Sequence, residues 1–187
     1  MKKYVALVAA CAFLTAGAAL ALGLPGGGGK VDTKKIDEVI ASLNDLSTKF
    51  AAAKAKVDDC QKTLSDVAAA HGIADILSDP SKISTVASAL TAEEKAALQA
   101  KVQVLATVPA DVTAITQAIP DILTNKIPAA LADVVSQIQK NPLSAGDLKN
   151  KQDQLNAGKA ALDQIVKDAP ALITSAQNLS TALTGIF

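Results

Sequence analysis

Residues Lys35–Gly72 read KIDEVIASLNDLSTKFAAAKAKVDDCQKTLSDVAAAHG, and their spacing decides the fold. Apolar residues return at alternating steps of three and four. One row is Ile36, Leu43, Phe50, Val57 and Leu64; the other is Val39, Leu46, Ala53, Cys60 and Val67. Such a row pair is the a/d pattern of a helix packed along its length against partner helices. Asp32 or Thr33 supplies an N-cap, and Asp37 and Glu38 suit the positive end of the helix. Gly72 is a natural stop. The helix would span about 38 residues and about 57 Å at 1.5 Å per residue.

The same stretch holds the chain's single histidine, and one of its two cysteines. Cys60 continues the d row and His71 the a row. They share a face, but eleven residues separate them by about 16 Å along a straight helix. A nucleophile and its base need contact at about 3 Å. A zinc site needs three or four ligands, and the only other cysteine is Cys11. Both residues therefore read as packing: Cys60 as a small seam residue, His71 as a cap or contact at the helix end.

Beyond this helix, residues 73–90 read as two short helical pieces broken at Asp79-Pro80. Thr91-Ala92-Glu93-Glu94 is a capping-box pattern that opens a second long segment, about Ala92 to Lys140. Leu98, Val102, Leu105, Val112, Ile115, Ile119, Ile122, Ile127, Leu131, Val134 and Ile138 keep helical spacing along it. Pro109, Pro120 and Pro128 predict kinked pieces, since each removes a backbone donor. Asn141-Pro142 ends the segment. Ser144 or Asp147 begins the last one. There Leu148, Leu155, Leu162, Ala169, Ala176 and Leu183 recur every seven residues, beside Ile165, Leu172, Leu179 and Ile186. Gly158 lies on that second row and predicts a close helix approach; Pro170 predicts a kink. The period-two alternation of strands is absent. The expected fold is all-α: an elongated antiparallel helical bundle of three long, Pro-kinked segments plus short connecting helices, with coiled-coil-like packing.

The N-terminus reads as a targeting segment. Lys2 and Lys3 precede an uncharged stretch from Tyr4 to Gly29, and Ala19-Leu20-Ala21 fits a small-x-small cleavage site. This is the layout of a secretory signal peptide rather than a membrane span, because its distal third is Ala and Gly. Val8-Ala9-Ala10-Cys11 resembles the lipobox of bacterial lipoproteins, but the apolar run continues past Cys11. The organisation expected is residues 1–21 as signal peptide, 22–31 as a Gly-rich linker and 32–187 as the helical bundle domain. The mature chain carries 16 Lys against 18 acidic residues and has lost Cys11, so Cys60 becomes a lone cysteine in an exported, periplasmic or secreted protein.

Composition excludes several function classes. The chain has no Arg and no Trp, its aromatic content is 2%, and its formal net charge is zero. It therefore lacks guanidinium forks for phosphate and stacking platforms for bases, so nucleic-acid binding is not expected. No Walker loop, dinucleotide fingerprint, CxxCH or Glu-x-x-His occurs. Asp58-Asp59 and Glu93-Glu94 are adjacent pairs that point in different directions on a helix, hence solvated. No catalytic, cofactor-binding or metal-ligating residue is nominated, and no cofactor is expected. The expectation is a non-enzymatic, exported helical-bundle protein of the bacterial envelope, a structural or protein-interaction module. Its partner would be an unidentified envelope protein or a second copy.

One segment carries an alternative. From Val102 to Gln139 the only charges are Asp111, Asp121, Lys126 and Asp133. Such sparseness implies a helix buried on several sides or one that opens onto lipid. The second reading is a membrane-active or lipid-binding helical protein, possible but not favoured.

Overall fold

The computed structural model describes residues 31–73 and 82–187. The signal-peptide, lipobox and linker readings, and the Asp79-Pro80 break, lie outside the described residues. Within them the chain is all-helical, with packed helices. The elements are α1 (Lys34–Ala70), α2 (Ile83–Ala89), α3 (Ala92–Asp121), a π-helical turn (Ile122–Lys126), α4 (Ile127–Lys140), a 3-10 turn (Pro142–Ser144) and α5 (Ala145–Thr184).

The helix ends follow the chemistry of their residues. Asp32 Oδ1 accepts the Lys34 N–H at 3.1 Å. The Thr33 carbonyl takes the Asp37 N–H, and the Thr33 hydroxyl donates to the Asp37 carboxylate at 2.8 Å. At the far end of α1, the Ile73 N–H reaches back to the Ala68 carbonyl and the Gly72 N–H to that of Ala69. Gly72 has φ +71°, a left-handed conformation that costs a glycine little. These two bonds are a Schellman motif, the glycine stop that the sequence predicts. The capping box at α3 also forms. The Glu94 N–H donates to Thr91 Oγ1 at 3.2 Å, and the Thr91 N–H donates to Glu94 Oε2 at 2.9 Å.

Burial on α1 follows the predicted rows through Leu64, and then departs. Ala68 is fully buried where the heptad places Val67, which is only half-buried. A straight helix has 3.6 residues per turn, so a strict 3.5 repeat drifts off the buried face over five heptads. The step Leu64 to Ala68 absorbs that drift. On α3, Val108 is buried while Val102 is half-buried, and on α5 Leu172 is half-buried. The α5 row Leu148, Leu155, Leu162, Ala169, Ala176 and Leu183 is buried throughout.

The prolines interrupt less than their number suggests. Pro109 sits inside α3 and Pro170 inside α5 without breaking either helix. Between α3 and α4 the helix widens into the π turn, where the Ile127 N–H bonds the Ile122 carbonyl five residues back. Pro128, next in the chain, has no N–H for the Thr124 carbonyl and a ring that would crowd it. The wider turn relieves both problems. Three prolines share a further device. Thr113, Thr124 and Thr174 donate their hydroxyls to the carbonyls of Pro109, Pro120 and Pro170, each four residues back, at 2.7, 2.7 and 2.9 Å.

The chain packs as two compact units. In the first, residues 31–49 pack with Ile115–Val166. There α1 meets α5 where Lys151 pairs with Asp37 and where Leu43 covers Gly158. The Gln137 amide donates to the Asp32 carbonyl at 3.4 Å. The second unit comprises Phe50–Ala114, less its undescribed stretch, and Lys167–Phe187. Its α1 and α3 are joined by three polar contacts described next.

Candidate functional site around Cys60 and His71

The two reactive side chains of α1 lie in the second unit and do not meet each other. Cys60 is buried, with 1% of its surface exposed, and is a free thiol. Beside it on α1, Asp59 accepts from Lys101 of α3 at 2.5 Å. Burial pushes the Cys60 thiol up to about 11; Lys101 partly opposes this, and Asp59 adds to it. The thiolate is the nucleophile and the metal ligand, so at neutral pH Cys60 is protonated and inert.

His71 follows the last turn of α1 and reaches α3 instead. Its Nε2 lies 3.1 Å from both carboxylate oxygens of Glu94. Both side chains are half-buried, with 23% and 27% of their surfaces exposed. The same carboxylate receives the Thr91 N–H and hydroxyl, each at 2.9 Å. These donors, Thr91 first and His71 next, hold the Glu94 carboxyl below the usual carboxylate range.

The adjacent acidic pairs part company as helical geometry requires. Asp58 takes Lys54 of its own helix at 2.5 Å, whereas Asp59 takes Lys101. Glu93 is exposed while Glu94 turns to His71. A further cross-helix contact joins Lys56 to Asp111 at 2.7 Å and to Thr107 at 3.0 Å. Among the described residues no group of three or more His, Cys, Asp or Glu is placed to hold a metal ion.

Sequence reading locates Cys60 in the seam and His71 at the helix end. It misses the partners: Glu94 for His71, Lys101 over Cys60, and Asp111 for Lys56. These pairs lie 23, 41 and 55 residues apart, and only the pairing register of α1 with α3 brings them together. It also misses Ser47 in the first unit, which is buried and whose Oγ finds no hydrogen-bond partner among the described residues. The Asn44 Oδ1, one turn earlier, is likewise unpaired.

No family model, curated protein or solved structure matches this chain.

Proposed function

We propose that this chain is a non-enzymatic, exported helical-bundle protein of the bacterial envelope that works by presenting helix faces to a protein partner. The observation that carries this reading is the outer face of the helical span Ala92–Lys140. By length and composition this span is apolar enough to cross a membrane, yet only 28% of its most apolar stretch is buried. Charge on that outer face is sparse: of the four charged residues between Val102 and Gln139, only Asp121 and Lys126 are exposed. Asp111 is turned to Lys56, and Asp121 and Lys126 pair with each other at 3.3 Å. The exposed positions include a series of small side chains: Ala106, Ala110 and Ala114 in the second unit, Ala118, Ala129 and Ala132 in the first. A face with that composition is less well solvated than the Lys- and Asp-bearing outer face of α1, and suits a covering partner. The placement of the two reactive side chains supports a non-catalytic role, since Cys60 is buried as a thiol and His71 is engaged by Glu94.

The order of pairing within each unit supports a bundle of long segments. In the second unit, Lys56, Asp59 and His71 meet Asp111, Lys101 and Glu94, so α3 descends as α1 rises. In the first, Asp37 and Leu43 meet Lys151 and Gly158, so α5 rises with α1. Each order is what a bundle of long segments would give within that unit. The export reading rests on the sequence of residues 1–21 and implies a mature N-terminus at Leu22. Mass spectrometry of the exported protein tests it: a lipid-bearing N-terminus at Cys11 would replace it with a lipoprotein.

The second reading, contact with lipid, draws on the same helical span. The exposed face offers Val104 and Val135 but no aromatic or Leu side chain, which is thin for insertion into a bilayer. Crosslinking in intact cells from Ala110 and Ala129, with liposome flotation in parallel, separates the two. The protein-module reading expects one reproducible protein adduct and no flotation. Flotation with anionic vesicles and no protein adduct would replace it with the lipid reading.

A further inference from the structure

Two local structures of the second unit converge on one carboxylate. Glu94 closes the capping box of α3 by accepting the Thr91 N–H and hydroxyl. It also receives Nε2 of His71, which sits inside the Schellman turn ending α1, one residue before Gly72. The same anion therefore serves the start of α3 and the end of α1. From this geometry we propose that Glu94 and His71 form an acid-released latch: it ties the C-terminal turn of α1 to the N-terminus of α3 and lets go when Glu94 is protonated. This goes beyond the interaction-module reading and does not depend on it.

The chemistry of the two partners sets which proton matters. An imidazole that carries hydrogen on Nε2 donates whether neutral or cationic, so the carboxylate is the partner whose protonation weakens the bond. A carboxylate that gains a proton loses its charge, and its bonds from His71 and Thr91 lose their charge assistance together. Other charged groups nearby do not substitute for it. Glu93 and Lys95 flank Glu94 on α3. On α1, Asp66 is bonded to Lys62, and Lys82 lies just before α2. Among the described residues, the side chains bonded to the Glu94 carboxylate are those of Thr91 and His71. Because donors from Thr91 and His71 hold the folded carboxyl below its ordinary value of 4.5, the latch contributes stability above that value. The contribution is lost as pH falls through the lower, folded value.

The test is a carboxyl-carbon and amide NMR titration of the folded mature chain, with Glu94→Gln and His71→Gln beside it. In the wild type, Glu94 titrates below 4.5, and the amides of His71, Gly72 and Ile73 move with it. Glu94→Gln leaves those amides flat through the same window. In His71→Gln, which keeps the capping box, Glu94 titrates higher than in the wild type. Two results overturn the latch: α1-end amides that ignore the Glu94 titration, or a Glu94 midpoint unchanged by His71→Gln. The second stands even if Glu94→Gln fails to fold.

Discussion

Leu43 lies directly over Gly158. A β-carbon built on the glycine would sit 2.5 Å from Leu43 Cδ1, 3.1 Å from its Cγ and 3.2 Å from its Cβ. Cγ and Cβ are in the way as well as the flexible tip, and the leucine is buried, with 1% of its surface exposed. Gly158→Ala therefore sets two effects against each other. Alanine in a helix interior gains about 1 kcal/mol over glycine, while overpacking a tight core costs about 1–3 kcal/mol. We expect a net loss of about 1 kcal/mol in denaturant unfolding, and in a double-mutant cycle Gly158→Ala should cost less in a Leu43→Ala background than in the wild type. A Gly158→Ala protein more stable than the wild type would show that α1 and α5 are not in close contact there.

The thiol of Cys60 gives a stability change with a defined sign. Its folded value is raised to about 11 from an ordinary 9.0, so the folded chain keeps a proton that the unfolded chain releases. The stabilising contribution is full below 9.0 and is lost as pH rises from there through about 11. The wild type should lose stability over that range relative to Cys60→Ala, since lysine titration is common to both proteins. Thiol labelling of the folded protein at neutral pH should be slow and should speed up with denaturant. Rapid labelling of the folded chain would place Cys60 at the surface.

Much of this fold is legible in single residues, for reasons that differ from place to place. The α1 and α5 rows are readable because a seam that buries one face repeats on a fixed period. Gly72 and the Thr91–Glu94 box are readable because helix ends need local partners that few residue types supply. The π turn is not: Pro109, Pro120, Pro128 and Pro170 look alike in sequence, and only one stretch widens. What distinguishes it is the pair Pro120 and Pro128 on either side, eight residues apart. The reach of His71 to Glu94 is also hidden. It depends on the pairing register of α1 with α3, which no local pattern fixes.

Ser47 and Asn44 test how the first unit handles buried polar atoms. Elsewhere in the helices, hydroxyls turn back to a carbonyl four residues earlier, as Ser42 does to Glu38 and Thr63 to Asp59. Ser47 does not, although it is 5% exposed. An unpaired buried hydroxyl costs about 1–3 kcal/mol in lost hydration. Ser47→Ala should therefore raise stability, by about 1 kcal/mol, whereas Ser42→Ala should change little. A loss of stability in Ser47→Ala would show that the hydroxyl has a bonding partner in solution.

Ile119 and Asp121 stand two residues apart on α3 and face opposite ways, so they separate burial from charge. Ile119 is 1% exposed in the first unit. Burying a side chain of its size contributes about 1.5–3 kcal/mol, and an unpaired carboxylate in its place adds a further desolvation cost. Ile119→Asp should therefore abolish cooperative unfolding or lower its midpoint steeply. Asp121 is exposed, and Asn125 first, then Lys126, hold its carboxyl below the usual range. Exposed ion pairs are screened by solvent, so Asp121→Ala should shift the midpoint only slightly. The same contrast bears on the outer face of this segment. If that face met lipid or a partner across its full width, Ile119 would be reachable from outside, and its replacement would change binding before it changed folding. We expect the reverse order: folding fails in Ile119→Asp. A change at the exposed Ala118 or Ala129, made to Glu, leaves circular dichroism intact and removes the crosslinked adduct. Loss of helicity in the Ala129→Glu chain would place that residue in the core and withdraw the uncharged face as a docking surface.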